Sequence, residues 1–218
     1  MQPRLSPKRN AAMTLFEVGV VIAIVVVLTA FFLPTLSRTQ HRSLKVSCIN
    51  RLKQINLVGR VWEGDNGDIF PMGVSITNGG SMEMVQTGDV LQTFLVMSNE
   101  LSTPKILFCP DDAGKFWTND FAGLSNKNIS YFVGVDVTND ADPQMIFSGD
   151  CNFETGGVPV KPGLSSFWTN DPVAWQATRH IKSGNIGLAD GSVQSTTSAS
   201  LQNYLQQTSF ATNRFAIP

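Results

Sequence analysis

Across residues 18–33 this chain carries no charge, and only Gly19 and Thr29 interrupt the aliphatic and aromatic side chains. Glu17 stands immediately before this run and Pro34 immediately after it. Counted from Met13, the segment is long enough to predict a helix that crosses a bilayer core. A carboxylate just inside such a segment is costly unless it has a partner, which makes Glu17 a functional candidate. A cleaved secretory signal is a poor description, because the apolar run is too long, an acid breaks its start and no small-x-small site follows. Basic residues flank both sides (Arg4, Lys8 and Arg9 before, Arg38, Arg42 and Lys45 after), so charge does not orient the segment.

In order, the chain offers a short basic leader, Ala12, Met13-Thr14-Leu15-Phe16-Glu17, the apolar run and Pro34. This resembles the class III signal of type IV prepilins and of the pseudopilins of type II secretion systems. Ala12 stands where glycine is usual and Met13 where phenylalanine is commonest; Thr14, Leu15 and Glu17 match the pattern. The resemblance implies cleavage between Ala12 and Met13 by a prepilin peptidase and N-methylation of Met13. It implies assembly through Glu17, paired with the terminal amine of a neighbouring subunit, and a helix kink at Pro34. Further along, Cys48-Ile49-Asn50-Arg51-Leu52, Phe108-Cys109-Pro110-Asp111-Asp112, and His180 nine residues before Asp190-Gly191 resemble a large bacterial group of pseudopilin-like proteins.

After Pro34 the character becomes amphipathic. Leu44, Cys48, Leu52, Ile55, Val58 and Trp62 recur at helical spacing and predict one buried stripe, ending at the turn cluster of residues 64–67. Residues 90–97 read as a short helix, and 129–135 and 144–148 as strands. Residues 174–181, 185–189 and 192–197 read as a meander, and 201–206 as a helical turn. Residues 111–128 and 150–173 read as long loops. The expected organisation is a leader (1–12), a transmembrane assembly helix (13–34), an amphipathic stem helix (35–63) and a head (64–218). The expected fold is α+β: a long kinked N-terminal helix, membrane-spanning in its first half, packed on a small antiparallel sheet with long loops.

The net charge of −1 conceals an asymmetry. Residues 1–60 hold nine Lys or Arg against Glu17, a balance of +8, and residues 61–218 hold seven against sixteen acids, a balance of −9. So acidic a head speaks against nucleic acid as a partner. A basic stem and an acidic head suit subunits that attract one another, or a stem that meets lipid headgroups.

Of the three cysteines, Cys48 and Cys109 lie in the motifs that carry the resemblance, and a bridge between them would clamp stem to head. Cys109–Cys151 is the competing pairing, and burial of Cys48 as a small apolar side chain the third reading. No zinc spacing is present. Asp136, Asp140 and Asp142, with Asp111 and Asp112, offer oxygens suited to calcium, as some major pseudopilins bind it, but the EF-hand pattern fails. Without calcium, no cofactor or metal is expected. In the meander His180 would pair near Ile186, and the four strand residues from there to Asp190 span about 13 Å at about 3.3 Å per residue, so His180, Asp190 and Gly191 read as structural and no catalytic residue is assigned. Phe167, Trp168 and Trp175 read as closing a small core, or as an aromatic binding surface.

The reading is thus a structural, non-enzymatic subunit of a type II secretion pseudopilus or type IV pilus-like filament. Its partners would be prepilin peptidase, other pilin or pseudopilin subunits, an inner-membrane assembly platform and lipid before assembly. Its place would be the bacterial inner membrane, single-pass, with the head in the periplasm or the filament at the cell surface. The alternative is a membrane-anchored binding or enzymatic module that uses the helix only as a tether.

Overall fold

The computed structural model describes residues 13–208 and 210–218, with the side chains of residues 31–41 outside the description. The leader, Ala12 and the side chain of Pro34 therefore lie outside the described residues. The chain divides into two compact units, Met1–Gln40 and His41–Pro218. Helix α1 (Leu15–Asp65) begins in the first unit and ends in the second.

In the first unit α1 opens with a capping box. Thr14 donates its backbone N–H and its hydroxyl to Glu17 Oε2, at 2.7 and 2.9 Å, and the Glu17 N–H returns a bond to Thr14 Oγ1. These bonds hold the Glu17 carboxyl below its usual range. Every described residue from 13 to 30 is exposed.

The expectation of a membrane-spanning helix is corrected here. Among the described residues, no helix is long and apolar enough to cross a membrane. A single-pass position in the inner membrane with a periplasmic head, and the membrane character that went with it, fall with that helix.

The second unit is α+β, but its sheet is larger than expected. After α1 come short helices α2 (Met82–Val85), α3 (Leu91–Val96) and α4 (Ser98–Leu101). Strands β1 (Tyr131–Gly134), β2 (Ile146–Asp150), β3 (Phe153–Thr155), β4 (Val158–Pro159), β5 (Gly163–Trp168), β6 (Val173–Trp175), β7 (Ser183–Leu188) and β8 (Val193–Thr197) follow, then α5 (Ser198–Gln207) and β9 (Thr212–Ile217). Six strands form one antiparallel sheet in the order β5-β9-β1-β2-β7-β8, and β4-β3-β6 form a second. The segment read as a long loop at 150–173 thus supplies three strands and part of both sheets. Residues 174–181 do not form a strand of a meander: β6 ends at Trp175 and pairs with β3, with Phe153 opposite Trp175.

Alternation on the large sheet buries both its faces. Tyr131, Val133 and Phe147 join the core under α1, with Cys48, Leu52, Ile55, Val58 and Trp62 of the helix stripe. Phe132, Ile186, Phe215 and Ile217 join the opposite core, with Phe153, Phe167 and Trp175, closed by Leu201 and Leu205 of α5. Phe167 and Trp175 are buried, whereas Trp168 is exposed.

One polar side chain enters the helix–sheet interface. Asn56 is buried on α1, donates to the Leu188 carbonyl at 3.2 Å and accepts from Ser148 Oγ at 2.6 Å. It fits because Gly187 lies beneath it: a Cβ there would stand 2.1 Å from Asn56 Nδ2.

Candidate functional site

The densest chemistry in the head is a buried cluster built from four separate segments. The first is α1, which supplies Cys48 and Lys45. The second follows Pro104–Leu107, a 3-10 turn, and runs Phe108-Cys109-Pro110-Asp111-Asp112; Arg51 of α1 donates to its Phe108 carbonyl. The third is the end of β2, where Asp150 is paired across from Tyr131. The fourth is Arg179-His180-Ile181-Lys182, just before β7.

Cys48 and Cys109 are joined by a disulfide, with Cα atoms 5.2 Å apart, which closes the pairing the sequence left open; Cys151 is free. The His180 side chain has no exposed surface. Its Nδ1 lies 3.0 Å from Asp111 Oδ2 and its Nε2 3.4 Å from Asp150 Oδ2 and 3.6 Å from Cys109 Sγ. The Nδ1 contact lacks the in-line geometry of a hydrogen bond; the same Asp111 oxygen takes the backbone N–H of His180 at 2.6 Å. Asp150 Oδ2 also receives the backbone and side-chain N–H groups of Asn185, both at 2.8 Å. Arg179 is equally committed. It meets Asp112 at 2.9 Å, the Ser130 carbonyl at 3.0 Å and Cys151 Sγ at 3.2 Å. Burial opposes its charge, but Cys151, Asp112 and Asp150 outweigh that and hold its pKa above the usual value.

Lys45 donates to Ser183 Oγ at 2.9 Å, and Ser183 in turn donates to the His180 carbonyl. Burial draws the Lys45 ammonium down, partly offset by Asp150. Burial likewise raises the Tyr131 phenol well above its usual range, Asp150 adding to it.

The backbone at this site is strained. His180, Ile181 and Lys182 have φ of 49°, 53° and 56°, three successive left-handed residues of which none is glycine. Each costs about 1–2 kcal/mol, and a β-branched residue there is an outlier. Contacts of His180 with Asp111, Asp150 and the disulfide offset the strain; the Ile181 side chain, 73% exposed, contributes little. Ile181→Asn is therefore expected to stabilise the fold by about 1 kcal/mol, read as a higher urea midpoint at unchanged slope.

His180 and Asp190 serve different places. Asp190 is exposed in the β7–β8 turn, where its Oδ1 accepts the Ser192 N–H at 2.8 Å. The Gly191 N–H bonds the Leu188 carbonyl and the Leu188 N–H bonds the Ser192 carbonyl, with Gly191 at φ 87°. This is a three-residue turn with a glycine bulge rather than a two-residue one, because Gly191 takes the left-handed position alone.

Among the described residues, the carboxylates considered for calcium do not converge on one point. Asp136 pairs with Arg214, Asp140 with Arg60 at 2.6 Å, and Asp142 accepts the Gln144 N–H. Asp111 and Asp112 belong to the buried cluster. Sequence reasoning missed Asp150, Arg179 and Asn56. The one available signal was Arg179-His180, a lone basic pair in an otherwise uncharged stretch from residue 172 to 181.

Comparison of the chain with protein-family models, with curated proteins and with solved structures finds no match in any of the three.

Proposed function

We propose that this chain is a structural subunit of a pilin-like filament, of the type II secretion or type IV pilus kind, that assembles by packing the first part of α1 against the same helix of neighbouring subunits. The observation that supports it best is the apolar surface of that segment. Val18, Val20, Val21, Ile22, Ile24, Val25, Val26, Val27 and Leu28 are each between 42% and 60% exposed. An uncovered apolar surface of this kind marks an interaction site, and each aliphatic side chain fully removed from water contributes about 1.5–3 kcal/mol.

Apolar contact alone has no register. Glu17 supplies one, because a carboxylate drawn into such a contact needs a positive partner. Cleavage between Ala12 and Met13 by a prepilin peptidase would create one, the α-amine of Met13. Both local bonds to Glu17 fall on Oε2, and the proposal gives Oε1 to the amine of the adjacent subunit. The buried cluster then has a mechanical part: it fastens the later turns of α1 to the head.

The test is Glu17→Leu. The variant is expected to fold and to be processed, yet to yield no sedimentable filament, while the parent polymerises. Filaments of normal yield from Glu17→Leu would leave α1 as no more than a tether. N-terminal sequencing of the mature chain provides the second arm, with a methylated Met13 as the expected first residue.

A further inference from the structure

We propose that Cys48, Cys109 and His180 form a three-ligand zinc site when the disulfide is reduced, so that the link between α1 and the head has two exchangeable chemistries. Among the described residues these three are the group whose ligand atoms converge, all within 4.8 Å of one another and all buried.

The distances fit a tetrahedral ion. With bonds of about 2.3 Å to sulfur and about 2.0–2.1 Å to nitrogen, the edge of the tetrahedron between S and N is about 3.6 Å. Cys109 Sγ lies 3.6 Å from His180 Nε2, and Cys48 Sγ lies within 4.8 Å of that ring's ligand atom. The two sulfurs must part, from bonded contact to about 3.8 Å.

Three further observations point to a ligand. Asp150 is wholly buried, yet its Oδ1 has no hydrogen-bond partner. Asp111 Oδ2 lies 3.0 Å from Nδ1 of His180, close to the place of the carboxylate that orients a metal-bound imidazole, though out of line for a hydrogen bond while the disulfide is closed. The left-handed backbone at residues 180–182 holds the imidazole against the sulfurs, and a disulfide by itself has no use for an imidazole; such strain collects at functional positions.

The chemistry balances. A dithiol or phosphine supplies two electrons and is itself oxidised, and the disulfide takes these with two protons to give two thiols. Zinc displaces both thiol protons to the solvent and accepts the Nε2 lone pair of neutral His180. Zinc with two thiolates and a neutral imidazole carries no net charge, as the disulfide carries none. The ion therefore adds nothing to the balance among Lys45, Arg179 and the three aspartates. The inference stands apart from the filament reading and survives its failure.

The full-length chain carrying Cys151→Ser is kept in mild detergent, which covers the apolar part of α1, and is compared in its oxidised and phosphine-reduced forms. The reduced form is expected to bind one zinc per chain and the oxidised form none. Zinc should slow alkylation of Cys48 and Cys109 by at least about 10-fold, and cobalt(II) should give the visible bands of tetrahedral thiolate coordination. Asp111→Asn should weaken zinc binding by about 10–100-fold, and His180→Gln by more. If reduction unfolds the chain, recovery of its circular dichroism on adding zinc supports the site, and failure to recover overturns it. Equal alkylation with and without zinc, or unchanged affinity in both variants, also overturns it.

Discussion

Arg179→Met is expected to destabilise the head by about 3–5 kcal/mol, the usual cost of removing one partner from a buried ion pair. Arg179 and Asp112 are both only 7% exposed. Without the guanidinium, Asp112 keeps the Ser130 hydroxyl at 2.8 Å and the Gly114 N–H at 3.2 Å but loses its counter-charge. The Ser130 carbonyl loses a donor as well. Methionine fills most of the volume, so the loss is electrostatic rather than a cavity. In a unit of this size the melting temperature should fall by about 10 °C. Adding Asp112→Asn should restore much of the loss, because the stranded charge is then gone. A double-mutant cycle by urea denaturation checks both statements. A single-variant loss below about 1 kcal/mol would mean that the pair is solvated and that the cluster does not fasten the head.

Removal of the disulfide should have a similar effect by a different route. Cys48 and Cys109 are separated by 61 residues, and cross-linking a loop of that length restricts the unfolded chain by about 4 kcal/mol in the chain-entropy account. Cys48→Ala with Cys109→Ala should lose about that much in metal-free buffer. The parent in reductant should match it, and the double variant should be indifferent to reductant. The loss should fall on the unfolded state, so the denaturant slope should rise as the released chain exposes more surface. The residues that hold the clamp in place are not all covalent. Tyr131 donates to the Cys48 carbonyl at 3.4 Å, and Arg51 crosses to the Phe108 and Lys105 carbonyls. The later part of α1 should therefore stay docked after reduction, which hydrogen exchange of residues 48–62 would show.

What the sequence determined by itself is local. The helical period of Cys48, Leu52, Ile55, Val58 and Trp62 specified one buried stripe, because 3.6-residue spacing places these side chains on one face whatever they pack against. Short apolar runs marked α3, β1, β2, β7 and β8 to within a few residues, and Asp190-Gly191 marked a turn, since glycine alone accepts the left-handed position cheaply. Tertiary structure decided what depends on partners far along the chain. β9, with its Asn213 and Arg214, does not read as a central strand, yet it lies between β5 and β1 because both edges offered ladder bonds. β6 left the expected meander because Trp175 found Phe153. His180 left it because Asp111, Asp150 and the two sulfurs outweigh the backbone cost of a left-handed turn. Each of these is a contest between a local preference of about 1–2 kcal/mol and contacts assembled from segments up to 138 residues apart, as Lys45 and Ser183 are. Periodicity records the first side of that contest and not the second.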